Sequence, residues 1–338
     1  MVRVLVGGIL ALVVSILLGP RFIRFLRERE YGQHIREEGP QSHAVKQGTP
    51  TMGGVLIMAS TAVAFLALSK YTTNALTVFL VALGCAGIGF LDDFTKLTHR
   101  RSLGLAGRWK LVLLALITGG VAFVTHHRDY ETSVYIPIAN GKIPLSYVWY
   151  LLLFLIIAGA ANGVNLTDGL DGLAAGTGII AVFTYTALAV IAWVRSSSVP
   201  AHRSLIDLDY AILGAALIGA SVGFLWYNAW PAEVFMGDTG SMGIGGALAG
   251  FAIMTKTELL LLFVGGIFLI EALSVMVQVA FFKYAGRRVF LMTPIHHHFE
   301  MKAWSETKIM VRFWILTAIL CAFGFALYYR YYFRFFRA

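Results

Sequence analysis

At 338 residues, 58% of them hydrophobic and only 13% charged, the chain has a mean hydropathy of +0.74, whereas soluble domains carry about 25% charged residues. That excludes a water-soluble globular domain and indicates an integral membrane protein. The net charge of +9 and the pI near 9.6 do not call for a nucleic-acid partner, because basic loops in a membrane protein report orientation.

A helix needs about 20 apolar residues to cross the hydrocarbon. By that ruler ten spans are predicted, at 2–20, 52–69, 75–91, 110–125, 147–161, 173–194, 210–227, 242–255, 258–282 and 311–329. They consume most of the chain, so the expected architecture is an all-α polytopic bundle forming a single domain over 1–338. The first span has no small-residue cleavage site and runs into an Arg-rich stretch, so it reads as retained rather than as a signal peptide. Cys85 and Cys321 fall inside spans, which argues against a disulfide framework.

Alternating the spans puts 17 of the 27 Lys and Arg residues into one set of loops: 21–51, 92–110, 162–172, 228–241 and 283–312. The positive-inside rule assigns that set to the cytoplasm and both termini to the outside. The loop 125–147 lies in the other set. There, Asn140-Gly141 between two short apolar runs predicts a small β-hairpin with a type I′ turn on the outer face.

All the strong polar clusters fall in the cytoplasmic set. The first runs from Gln41 to Gly54. The second is Asp92-Asp93, closing the third span; paired acids at a helix C-terminus oppose the helix dipole, so they need a reason. The pair does not extend to a DDxxD motif, since position 96 is Lys.

The third cluster interrupts two apolar runs with Asn162, Asn165, Asp168 and Asp171. If helical, Asp168 and Asp171 share a face; if a turn, Gly169 and Gly172 let backbone fold closely around a ligand. The fourth runs from Asn228 to Ser241. Asp238 there reads either as an N-cap or as part of an anion-binding helix terminus. Gly243, Gly245, Gly246 and Gly250 beyond it suit close helix packing, and no ATP-type phosphate loop is present.

The last cluster contains His296, His297 and His298. Consecutive residues do not converge on a tetrahedral zinc, so phosphate or nucleotide contacts are the preferred reading. Glu271 is a single acid inside the ninth span, with Ser274 or Gln278 as expected partners. A transporter would place paired charges near the midplane, and this chain does not. Carboxylates, amides and histidines beside Lys and Arg suit a hard cation such as Mg²⁺ that also meets substrate phosphate. At a membrane surface that combination points to phosphoryl transfer between a soluble diphosphate and a lipid phosphate.

These stretches resemble the MraY family of phospho-N-acetylmuramoyl-pentapeptide transferases, within the polyprenyl-phosphate N-acetylhexosamine-1-phosphate transferase superfamily. The resemblance spans nearly the whole chain and is most specific in Pro40 to Gly54 and Pro294 to Glu300, which separate it from the GlcNAc-1-phosphate siblings. It implies ten helices in the bacterial cytoplasmic (inner) membrane with both termini periplasmic. It also implies transfer of phospho-MurNAc-pentapeptide from UDP-MurNAc-pentapeptide to undecaprenyl phosphate, giving lipid I and UMP, by a homodimer.

Carried onto this sequence, Asp238 would be the Mg²⁺ ligand, Asp92 the base for the lipid phosphate and Asp93 a second catalytic acid. Lys46, Asn228 and Phe235 would contact the nucleotide, Phe235 by stacking on uracil. Thr51, Lys96, Asn162, Asn165, Asp168, Asp171, His296, His297 and His298 would complete the substrate site. The resemblance also implies a bent ninth helix lining a groove for the lipid tail, with a hinge near Gly265-Gly266. One departure is the stretch Thr98-His-Arg-Arg-Ser-Leu-Gly, where the family pattern is Lys-rich.

Overall fold

The computed structural model describes residues 1–29, 48–99, 104–136 and 141–332. Its helices are α1 (Val2–Glu28), α2 (Gly54–Leu68), α3 (Thr73–Thr98), α4 (Gly107–His127), α5 (Val148–Thr167), α6 (Leu173–Arg195), α7 (Leu205–Asn228), α8 (Gly237–Met254), α9 (Leu261–Val264), α10 (Gly266–Ala285), α11 (Ile295–Glu300) and α12 (Glu306–Leu327). Each predicted span falls on a helix. Among the described residues, eight helices are long and apolar enough to cross a membrane: α1, α3, α4, α5, α6, α7, α10 and α12 with its continuation to Tyr331. The remaining two spans correspond to α2, with 15 residues, and to α8.

The bundle is built around α8, which is buried along its length from Thr239 to Met254. Its sequence explains this position. Lipid tails are as apolar as leucine, so helices associate in a membrane by close packing rather than by escape from water, and small residues permit it. α8 supplies them in Gly-rich runs, and α3, α5, α2 and α6 pack against it. α1 lies on α7, α12 on α6, and α10 on α5.

The ninth span is not one continuous helix. A 3-10 turn at Glu258–Leu260 leads into α9, and the chain breaks at Gly265 before α10 begins. This is where the family resemblance places a hinge.

The hairpin is present, with β1 (Ser133–Ile136) antiparallel to β2 (Gly141–Pro144). Its register differs from the expected one. Ile136 pairs with Gly141, so Gly141 belongs to the strand and the two-residue Asn140-Gly141 turn is not formed. Residues 137–140 connect the strands instead, and Asn140 lies outside the described residues. Lys256 ties the hairpin to the bundle by donating to the carbonyls of Glu131 and Ser133, each at 2.8 Å.

At that same end, buried Asp209 of α7 closes the α2–α3 connection. It accepts from the Lys70 and Thr72 backbone N–H groups at 2.7 and 2.9 Å and from the Thr72 hydroxyl at 2.9 Å. Asp209→Ala leaves two backbone N–H groups and a hydroxyl, all part-buried, without an acceptor, which costs at most about 1–3 kcal/mol. The expected outcome is a lowered unfolding temperature in detergent with normal turnover per folded molecule, because Asp209 is at the opposite end from the acid cluster.

Candidate active site

The end of the bundle opposite the hairpin gathers the C-termini of α3, α5 and α7 with the N-termini of α2, α4, α6 and α8. Three acids meet there. Oxygens of Asp92, Asp93 and Asp238 lie within 4.8 Å of one another. Asp92 and Asp93 are almost wholly buried, at 1% and 2% exposed.

Asp93 answers the question of why α3 ends on two acids. Its carboxylate reaches across to the start of α8 and accepts three hydrogen bonds. They come from the Asp238 N–H (3.1 Å), the Thr239 N–H (3.0 Å) and the Thr239 hydroxyl (2.7 Å). The first N–H groups of a helix have no partner within it, and a negative charge there is favoured by the helix dipole. Asp93 thus caps α8 from another helix. The N-cap reading of Asp238 is corrected accordingly: Met236 holds the N-cap position, and Asp238 sits in the first turn with its side chain turned to the cations.

Those cations are Lys96 and Lys110. Lys96 Nζ lies 2.6 Å from Asp92 and 3.1 Å from Asp238; Lys110 Nζ lies 3.0 Å from Asp92 and 2.8 Å from Asp238. Asp92 also accepts from the Leu105 N–H at 2.7 Å. Lys110, on the first turn of α4, belongs in the sequence only to the basic loop charges that set topology. The signal that marks it is its place one helix start away from the acid pair.

Backbone proximity fixes this arrangement. A Cβ on Gly89 would lie 2.1 Å from the Asp238 carbonyl oxygen, and one on Gly54 would lie 1.9 Å from the Gly240 nitrogen. α3 and α2 therefore touch the first turn of α8 main chain to main chain. Thr51 is buried beside Gly237, whose positive φ of 73° places an added Cβ 2.9 Å from the Thr51 hydroxyl and 2.7 Å from Asp93.

The stretch from Asn162 to Leu173 resolves into a helix end and a turn. Asn162 and Asn165 are on α5, and the chain turns at Asp168 to Gly172, where Gly172 has φ of 74°. Asp168 accepts a hydrogen bond from the Gly237 N–H. It retains some solvent contact but is ringed by protein. Burial first, then the negative charges of Asp238 and Asp93, push its pKa up to about 8. Asp171 accepts from the Ala232 N–H at 3.0 Å.

Several predicted contacts face inward. Asn162 donates to the Ala158 carbonyl of its own helix (2.8 Å), and Asn165 donates to Ser241 (3.0 Å). Asn228 uses both ends of its amide to join loops, accepting from Gly172 N–H and donating to the Val234 carbonyl. In this structure it joins the Asp168–Gly172 turn to the stretch before α8. Phe235 is half-buried, its backbone pinned to Pro50 and Gly53 at 2.8 and 2.9 Å. Lys46 and the rest of the first motif up to Gln47 lie outside the described residues.

His296, His297 and His298 form part of α11, against the Asp168–Gly172 turn. Glu271 Oε1 meets His296 Nδ1 at 3.0 Å, while Oε2 is buried without a hydrogen-bond partner, and neither of the two expected residues reaches the carboxylate. Ser274 donates to the Glu271 backbone carbonyl, while Gln278 bonds Val289 and Phe290. Ser274 folds back onto its own helix and Gln278 turns to the loop after α10, which leaves the Glu271 side chain to a histidine from outside the helix.

Residues 75–256 match glycosyl transferase family 4, and residues 46–58 match signature 1 of the phospho-N-acetylmuramoyl-pentapeptide-transferases. The chain is 45% identical to the phospho-N-acetylmuramoyl-pentapeptide-transferase of Rubrobacter xylanophilus, covering 97% of this chain and 98% of the relative. It is 46% identical to that of Frankia alni, with 96% and 97% covered, and 45% identical to that of a Geobacillus species, with 94% and 95% covered. With an acid cluster on a helical membrane scaffold, a signature match and near full-length identity at this level, the chain belongs to the phospho-N-acetylmuramoyl-pentapeptide-transferase family.

Proposed function

We propose that the protein transfers phospho-MurNAc-pentapeptide from UDP-MurNAc-pentapeptide to undecaprenyl phosphate, releasing UMP and forming lipid I. The reaction takes place at the cytoplasmic face of the bacterial inner membrane, with α2 and α8 completing ten spans and both termini periplasmic. The whole chain acts as one integral domain, in a homodimer.

One observation carries the chemistry. Asp92, Asp93 and Asp238 converge on two lysines, three carboxylates against two ammonium groups, and burial first, then the Asp238 and Asp93 charges, push the neighbouring Asp168 carboxyl up to about 8. Such a site favours a divalent cation, and a set of carboxylate oxygens without sulfur or nitrogen ligands suits Mg²⁺. Asp238 would hold it, with Asp92 and Asp93 alongside. When bound, Mg²⁺ supplies charge shielding between two anionic substrates.

The chain's own residues account for the rest. Asp92 takes the proton of the lipid phosphate. Lys96 and Lys110 exchange their carboxylate partners for phosphate oxygens of the donor as it enters. Phe235 and Lys46 receive the uridine end, while Thr51, Asp168, Asp171 and the three histidines border the diphosphate and sugar. Asn228 joins the surrounding loops and Asn165 ties α5 to α8, and with Asn162 they border the substrate site.

The test is UMP release by purified protein given undecaprenyl phosphate and either UDP-MurNAc-pentapeptide or UDP-GlcNAc. Release from the muramoyl donor alone, lost in EDTA and restored by Mg²⁺, is the expected result. Equal release from UDP-GlcNAc would move the substrate assignment to the sibling enzymes. Undiminished release in EDTA would remove the metal from the scheme.

A further inference from the structure

We infer that Glu271 is a positioning residue that fixes His296 in one tautomer, with the proton on Nδ1 and Nε2 presented as a lone-pair acceptor at the Asp168–Gly172 turn. The tautomer stands on the Glu271–His296 pair with Glu271 ionised; what Nε2 meets rests on the proposed function.

Glu271 and His296 are both fully enclosed, and Nδ1 faces the carboxylate oxygen at 3.0 Å. A carboxylate oxygen can only accept, so Nδ1 must donate, and a neutral ring then carries no proton on Nε2. Nε2 has no hydrogen-bond partner in the structure. It presses on the turn: a Cβ on Gly169 would lie 2.2 Å from it. A carboxylate inside a membrane span is costly and persists where it acts on something. Here its side-chain contact is with an imidazole, the pairing by which enzymes hold a histidine in one orientation and one tautomer.

The neighbouring histidines show that this tautomer is a local choice. His297 turns its Nδ1 to Glu300. His298 does the reverse: its Nδ1 accepts from the Leu291 N–H at 3.1 Å, so its proton resides on Nε2. Partial burial, then the nearby Lys302 charge, lower the His298 pKa and favour that neutral ring. Adjacent imidazoles are thus held in opposite tautomers by different partners.

The consequence is a constraint on ligand chemistry. While the ring is neutral, a fully ionised phosphate oxygen has no proton to give Nε2. A hydroxyl or amide N–H of the phospho-sugar donor does fit. Gly169 lies against Nε2, so such a group would approach from the side of that turn.

The experiment uses full-length protein in detergent with ¹⁵N-labelled histidine, the His296 signals being identified by their loss in His296→Asn. Wild-type protein should show His296 with a protonated Nδ1 and a bare Nε2; a protonated Nε2 in the resting protein overturns the inference. Glu271→Gln keeps the shape and removes the charge. It should lower kcat about 10- to 100-fold, the scale for partners that orient a reacting group, with KM changed less than about twofold. In a His296→Asn background the same substitution should cost nothing further. An equal additional loss in that background, or a loss explained by a lowered unfolding temperature alone, would make Glu271 merely structural. The resting tautomer is read without substrate, so absent UMP release from wild-type protein would defeat the functional reading and leave this one standing.

Discussion

Asp238→Asn is expected to reduce UMP release by roughly 10³-fold, the scale on which single preorganised charge contacts act in transition states, with the unfolding temperature nearly unchanged. The argument is geometric. The Asp238 side chain faces Lys96 and Lys110 and takes no part in capping its own helix, so removing its charge alters the chemistry and not the scaffold. Asp93→Asn makes the informative comparison. Asparagine is a good cap and can still accept from the Thr239 N–H, so α8 should stay in place while the local charge falls. Asp93→Ala should in addition destabilise the protein, because it strips acceptors from two backbone donors and a hydroxyl. Turnover and detergent unfolding of the three variants, measured side by side, separate the two contributions. Wild-type turnover in Asp238→Asn would end the assignment of the acid cluster.

Gly89→Ala should be nearly as damaging without touching a polar side chain. Its new methyl would meet the carbonyl of Asp238 at 2.1 Å, backbone against backbone, and no rotamer can relieve it. Something must shift by about an ångström, and displacements of that size at a reacting centre cost about 10²-fold. Overpacking of a well-filled core adds about 1–3 kcal/mol of destabilisation. Gly87→Ala on the same helix, where an added Cβ meets nothing within 4 Å, is the control and should behave as wild type. Equal activity of the two variants would show that α3 and α8 do not meet as described.

The helices were legible because a membrane imposes a length and a composition on each crossing, and ten apolar stretches announced themselves. The acid cluster was legible for the complementary reason: Asp92, Asp93 and Asp238 stand out as polar residues at the edges of such stretches, and the fold brings them together. What stayed hidden depends on proximity between distant segments. Asp93 caps a helix through Asp238, 145 residues further along the chain, and no local pattern around Asp92-Asp93 says so. Lys110 was indistinguishable from any positive-inside charge until α4 was seen to start beside α3. Glu271 has two polar neighbours at helical spacing, yet its partner His296 arrives across a loop. The hairpin failed in register because Asn140-Gly141 carries the turn chemistry, while the strand pairing takes Gly141 for itself.

Lys96 and Lys110 also bear on how the enzyme should respond to metal depletion. Because the protein provides part of its own counter-charge within reach of every acid in the cluster, burying those acids does not hang on a bound ion. A chelator should therefore switch the enzyme off without unfolding it, leaving the melting curve in place and letting added Mg²⁺ recover full turnover within the mixing time. Zinc fingers, whose ligands have no such internal substitute, collapse under the same treatment. On the proposed reading, the two lysines leave the metal to the chemistry and not to the fold.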